Sequence, residues 1–431
     1  MNKSFLKKGF IASMLTGVLV LGACSSGDGN DEAADGQTVV DIFQFKVEFK
    51  DQFEQIVQDF EEENPDIKIN VQTVGGGNDY GAALKSSFAA GNEPDIFNVG
   101  GPSDVDEYRD YLADLSDTEA ASQALEGTLD GVEQQNGEIL GLPYNQEGYG
   151  YIYNKEIFEQ AGVDAESIST YEDLEEAFAT IDSQKEELGI DAVIALPAKE
   201  LWVMGNHLGN TFFASDFDNS IVEAYEADTI PLERSQELKR MLDLQNEYSV
   251  QPVLSLDYSQ QVEQLFSTGR VAVIQQGNWV YPTIEQMDAE FAENNIGMIP
   301  IPVDGLEGHL PVGVPNYWGV NKQSDEEVQE AAKQFLDWMY TSDTGKDFVL
   351  NEFKFIPAYD GYDEEQIADP LSKEVYKYSQ EGNTIGWVFL GTPNGWQEHV
   401  LGAEMQRYLS GDASWDEAME SAISQWESAR K

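Results

Sequence analysis

Cysteine is almost absent: Cys24 is the only one in 431 residues. An intrachain disulfide is therefore excluded, and packing alone must hold the fold. Histidine is scarce as well. His207, His309 and His399 stand far apart without HExxH or Cys/His spacing, so a zinc site has no support. A GxSxG nucleophile elbow is missing. Basic residues are heavily outnumbered, 24 Lys and Arg against 80 Asp and Glu, and the net charge of −56 repels nucleic acid and anionic headgroups. With that many carboxylates, pairs at the spacing of a glycosidase arise by chance and identify nothing. The acidic residues run through all elements, as expected of a protein exported into a saline or alkaline medium. No cofactor is expected.

What is present begins with length. A chain of 431 residues exceeds what one core serves, so two domains are expected. Lys3, Lys7 and Lys8 precede an apolar run, Phe10 to Leu21, too short to span a bilayer and ordered like a secretory signal. Leu21-Gly22-Ala23-Cys24 resembles the bacterial lipobox, which implies a signal peptide over 1–23, a lipid on the Cys24 sulfur and retention on the extracellular face of the cell membrane. A thiol so used is no nucleophile. Residues 24–37, CSSGDGNDEAADGQ, have no apolar face and read as a flexible tether.

Val39 to Phe45 reads as a strand, and Phe49, Phe53, Ile56, Val57 and Phe60 then mark one helical face, ended by Pro65. Ile67 to Val74 alternates as a second strand before a Gly75-Gly76-Gly77 turn, Tyr80 to Ala90 is helical, and Asp95 to Val99 is a third strand. This β-α-β-α-β order predicts a largely parallel α/β sheet with ligands beyond the carboxyl ends of its strands. Gly100-Gly101-Pro102 lies at such an end, without a nucleotide-binding glycine pattern. Farther on, Thr170 caps a helix, Val271 to Ile274 is a buried strand running into Gln275-Gln276-Gly277-Asn278-Trp279, and Ile296 to Val303 carries two prolines expected of an edge or crossover. Trp202 to Phe213 mixes aromatic and polar residues, with core packing as its first reading. Ser324 with Glu327, and Ser414 with Glu417, are spaced as capping boxes.

The stretch around which the rest is arranged is Leu140 to Phe158, LGLPYNQEGYGYIYNKEIF. Its polar patch, Asn145, Gln146 and Glu147, interrupts a β-like run and fits either an edge strand or a strand crossing between lobes. An aromatic ring beside an amide or carboxylate recurs at inferred strand ends: Glu147 with Tyr149, Asn278 with Trp279, Asn316 with Tyr317 and Trp318, and Trp396 with Gln397. A sugar ring presents apolar faces to such rings and hydroxyls to such polar groups.

At this point the chain resembles the extracellular solute-binding proteins of carbohydrate ABC importers, the family of maltose- and multiple-sugar-binding proteins. The resemblance rests on the order of EPDIFNVGG, LPYNQEGYGYIYNKEIFEQAG, STGRVAVIQQGNW, NIGMIPIPV, GVPNYWGVNKQS, AAKQFLDWM and FIPA. It implies a periplasmic-binding-protein-like fold of two lobes, each a mostly parallel sheet flanked by helices, assigned as 38–145 with 302–357 and 146–301 with 358–431. It also implies a lipid-anchored, monomeric binding protein, not an enzyme, that closes on an oligosaccharide and docks on permease subunits. By the same resemblance Glu147, Trp279 and Trp396 contact sugar, with Trp318, Asn145, Asn278, Lys46, Glu48, Asp104 and Asn316 as further candidates; Trp202 and Trp387 match no motif. A surface glycoside-active enzyme and a binder of peptide or polyamine are the alternatives.

Overall fold

The structure, a computed structural model, describes residues 36–74 and 80–431, with the side chains of Glu48 and Glu364 left out. Cys24, the signal segment, most of the tether and the Gly75-Gly76-Gly77 turn lie outside the described residues.

Two sheets organise the chain. Strands β1 (Thr38–Gln44), β2 (Ile67–Thr73), β3 (Ile96–Val99) and β4 (Leu142–Pro143) are followed by β5 (Glu147–Asn154), β6 (Ala192–Ala195), β7 (Val271–Gly277), β8 (Ile296–Ile299), β9 (Leu310–Gly313), β10 (Tyr317–Val320) and β11 (Thr384–Ile385). The first sheet has the order β2-β1-β3-β10-β4 and the second β11-β9-β5-β7-β6, with β8 beside β5. Helices α1 (Lys50–Glu63) and α2 (Tyr80–Ala90) follow β1 and β2 as the apolar periodicity demands, and α3 (Pro102–Tyr108) follows β3. Within the first sheet Ile96 packs with Phe53, Trp318 and Phe335, whereas Phe97 packs on the opposite side with Phe43 and Tyr108. The second sheet alternates likewise, Tyr151 facing Phe178 and Leu242, Ile152 facing Phe266 and Val375. Each lobe thus has its own core on both faces of its sheet.

The pairing is mixed where a largely parallel one was expected. β1 runs parallel to β2 and β3, β6 to β7 and β9 to β11, but β10 is antiparallel to β3 and β4, and β5 is antiparallel to β7, β8 and β9. The cause is connectivity: β5 and β10 enter their sheets from the other lobe, at the end where the parallel strands finish, and so must run backwards.

Among the described residues three segments cross. Tyr144–Gln146 links β4 to β5 and Val314–Asn316 links β9 to β10; Tyr144 N–H donates to the Asn316 carbonyl at 2.9 Å, tying these two together. The third segment lies between the helices Asp343–Asn351 and Pro370–Glu381, and there Ile356 pairs with Gln146. The interruption in Leu140 to Phe158 is therefore a crossing strand. The expected boundary at 302 is corrected, because β9 pairs with β5 and β11 of the second sheet. The boundary at 357 also moves: Tyr359 still packs against Tyr340 of the first lobe, ring centroids 4.4 Å apart. Neither shift could be read from periodicity, since a four-residue strand has the same pattern in either sheet.

Candidate ligand-binding cleft

The groups at the crossing come from both lobes. Lys46 follows β1, and Glu147 opens β5; both are buried, and Lys46 Nζ lies 2.5 Å from Glu147 Oε1. Removing either charge from water is costly, and only a close, hydrogen-bonded partner makes it tolerable. Asn145 Nδ2 adds a second donor to the same oxygen at 3.3 Å, while Asn145 Oδ1 is buried with no partner among the described residues. Gln146 supports the crossing instead, donating from Nε2 to the Pro357 carbonyl at 2.7 Å.

Beyond β3 the chain turns at Gly100, whose N–H donates to Asp104 Oδ2 at 2.8 Å. A Cβ placed on Gly100 would stand 3.2 Å from that oxygen and 3.9 Å from Asn316 Oδ1, so Asp104 and Asn316 are neighbours here. Desolvation raises the Asp104 carboxyl above its ordinary pKa, against the Gly100 N–H that lowers it. On β3 itself Asn98 is buried, with neither side-chain atom partnered among the described residues. Glu48 falls in the turn Val47–Phe49, and its side chain is outside the description.

The second lobe contributes an aromatic wall. Glu147 and Tyr149 share one face of β5, and Glu147 pairs with Gly313 of β9. The Trp387 ring lies over Gly313 so closely that a Cβ there would sit 2.5 Å from its Cγ. Trp279 folds back over Gly277, where a Cβ would meet the ring at 2.1 Å, which accounts for glycine two residues before that tryptophan. From Tyr149 the ring centroids of Trp387, Trp279 and His207 lie at 5.7, 6.5 and 4.3 Å. Trp202 extends the wall, 6.4 Å from Trp279 and 5.1 Å from His207. Burial holds the His207 imidazole down to about 3, so it stays neutral in ordinary buffers. His207 and Asn206 lie on a π-helical turn, Val203–Gly209, and His207 Nδ1, Asn206 Oδ1 and Trp387 Nε1 are buried without partners among the described residues. A wall of rings edged by unsatisfied donors and acceptors matches a ligand with apolar faces and many hydroxyls.

Three expected site residues are elsewhere. Trp396 is buried in the second lobe's core against Phe213 and Trp426, its indole N–H donated to the Ala422 carbonyl at 2.7 Å. Trp318 is fully buried in the first lobe, stacked on Tyr144 at 4.5 Å and donating to Tyr340 Oη at 2.8 Å. Asn278 spends both ends of its amide on the framework: Oδ1 accepts from Gly148 N–H, and Nδ2 donates to Ser372 Oγ, each at 3.1 Å. Asn278 resembles a site residue because Trp279, next to it in sequence, joins the aromatic wall. Conversely, Trp202, His207 and Trp387 join the wall without a motif; the aromatic and polar mixture of Trp202 to Phe213 was the only signal.

Lys46 from the first lobe and Glu147 at the start of the second sheet thus meet at the junction of two lobes joined by crossing segments, a place that suits a bound ligand. The sequence profile of bacterial extracellular solute-binding proteins matches residues 46–346, and the chain belongs to that family. Among curated relatives it is 24% identical over 260 residues to a xylose/arabinose-binding protein of Haloferax volcanii, covering 59% of this chain and 55% of that one. It thus spans about half the length of that relative. A multiple sugar-binding protein of Streptococcus mutans is 24% identical over 345 residues, 76% of each chain. Solved structures share the fold: a chitin oligosaccharide binding protein at TM-score 0.74 and 20% identity, covering 92% of this chain and all (100%) of the other. The raffinose complex of RafE matches at 0.72 and 18%, covering 91% and 100%.

Proposed function

We propose that this protein captures a sugar, an oligosaccharide, in the cleft between its lobes and delivers it to an ABC importer by lobe closure. The observation that carries this reading is the wall of Trp202, His207, Trp279 and Trp387 beside the interlobe Lys46 and Glu147, bordered by buried polar atoms that lack protein partners. The names of the relatives, binders of xylose and arabinose, multiple sugars and raffinose, point the same way. In the proposed complex the rings cover the apolar sugar faces. Glu147, Asn145, Asp104, Asn316 and Lys46 take the hydroxyls, with Trp279 as the central stacking residue. The protein acts as a monomer held to the outer face of the membrane by lipid on Cys24, and its closed lobes dock on the permease subunits. Closure is a shift of population, which requires ligand contacts from both lobes.

The test is a thermal-shift screen with mono-, di- and oligosaccharides, followed by calorimetric titration of the hits. Stabilisation by at least one sugar, with the sugar recovered intact by chromatography, is expected. Shortened products would establish the glycoside-active alternative, and a response to polyamines or peptides alone would replace the sugar.

A further inference from the structure

We propose that Tyr225 and Asp106 form a latch between the lobes that sets how readily they close, whichever solute is bound. Asp106 lies on α3, two residues after Asp104, and Tyr225 lies on the second-lobe helix Ile221–Glu226. The Tyr225 hydroxyl donates to Asp106 Oδ2. The other oxygen, Oδ1, accepts from Arg109 Nη2 of its own lobe at 2.9 Å, so the carboxylate is fixed from one side and offered to the other. Together the Tyr225 hydroxyl and Arg109 hold that carboxyl below its ordinary range, which keeps the acceptor ionised.

Tyr225 is braced in turn. The Arg430 guanidinium lies 5.4 Å from its ring centroid, and Arg430 Nη2 donates to the carbonyls of Ala224 at 3.0 Å and Gly391 at 2.8 Å. Five residues before Asp106, the Gly101 backbone presses on the same region: a Cβ there would stand 3.3 Å from both Ile221 Cδ1 and the Leu390 carbonyl oxygen. The contact is thus a small patch with a charged hydrogen bond at its edge. Neither Tyr225 nor Asp106 belongs to the aromatic wall or to the Lys46 and Glu147 group.

Because the latch joins protein to protein, it acts on affinity through the fraction of closed molecules. The apparent Kd is the intrinsic Kd divided by that fraction, so weakening the latch multiplies every ligand's Kd by one common factor. A residue that touches sugar changes different sugars by different factors. In this respect Tyr225 and Asp106 are positioning residues.

The experiment compares wild type with Tyr225→Phe, Asp106→Ala and Asp106→Asn by small-angle X-ray scattering in buffer alone, and by titration with three sugars taken from the thermal-shift screen. In Tyr225→Phe and Asp106→Ala the radius of gyration in buffer rises, saturating sugar restores it, and the Kd for all three sugars increases by the same factor, about three- to tenfold. Asp106→Asn, which keeps an acceptor for the hydroxyl, falls between. Unchanged scattering and affinity in both Tyr225→Phe and Asp106→Ala would overturn the latch, and so would factors that differ from sugar to sugar. The affinity arm rests on the sugar-binding reading. If no sugar binds even the wild type, that reading fails while the scattering comparison in buffer still decides the latch. Should Tyr225→Phe not fold, Asp106→Ala, changed at an exposed carboxylate, carries the same comparison.

Discussion

Glu147 keeps a buried carboxylate because Lys46 reaches it from the other lobe, and the two charges depend on each other. Glu147→Gln takes from the Lys46 ammonium, in a nearly dry site, the carboxylate 2.5 Å away. Breaking a buried pair from one side costs about 3 kcal/mol or more. Chemical denaturation is expected to show that loss together with weakened sugar binding, and Lys46→Met added to Glu147→Gln should recover stability without recovering affinity. The tryptophans separate in the opposite sense. Trp279→Ala removes a ring from the cleft wall and is expected to weaken binding at least tenfold while the protein still melts cooperatively. Trp396→Ala opens a cavity among Phe213 and Trp426, and its cost of about 3–5 kcal/mol falls on stability, read as a lower denaturation midpoint.

At the scale of elements, the capping patterns show where local rules hold. Thr170 with Asp173 and Ser414 with Glu417 form reciprocal boxes on the helices Tyr171–Asp182 and Trp415–Ala429. The Ser324 and Glu327 pair does not. The helix Glu326–Thr341 begins after Asp325, the Ser324 hydroxyl donates to Asp95 Oδ1, and Glu327 accepts from Thr38. Partners distant in sequence outbid the local bond. The helix Pro370–Glu381, which returns the chain to the second lobe, is capped by Asp369, whose Oδ1 accepts from Ser372 N–H at 2.8 Å. Burial raises that carboxyl to about 6. Its folded pKa lies above the unfolded value near 4, so the native state holds the proton more tightly. The resulting stability is complete below about pH 4 and is lost as pH rises through 6. Asparagine caps nearly as well and does not titrate. Asp369→Asn should therefore flatten the fall in Tm between pH 4 and 6, measured against wild type in buffers of equal ionic strength.

For the whole molecule the dominant quantity is the net charge of −56. Like charges at this density repel across the surface, and the repulsion is screened once the Debye length falls from about 30 Å at 0.01 M salt to about 3 Å at 1 M. The Tm is expected to rise by several degrees between those concentrations. A Tm independent of salt would remove the case for a saline medium.

Much of the fold was legible because its determinants are local. The strands and helices from Thr38 to Val99, Tyr80–Ala90 among them, follow from apolar periodicity and from Pro and Gly punctuation. The polar residues inside the β-like run around Tyr144–Gln146 fitted either an edge strand or a crossing, and the pairing with Asn316 and Ile356 makes it a crossing. By itself the sequence determined a two-lobed α/β protein, an acidic surface, and, through its ordered motifs, resemblance to sugar-binding proteins of importers. Tertiary structure alone decided that β9 sits in the second sheet, that Trp318 and Trp396 are core, and that Trp202, His207 and Trp387 gather around Tyr149 and Trp279. The reason is physical. Whether a ring faces core or cleft depends on which distant residues pack against it, and at the crossings those residues come from strands hundreds of positions apart, beyond any local pattern.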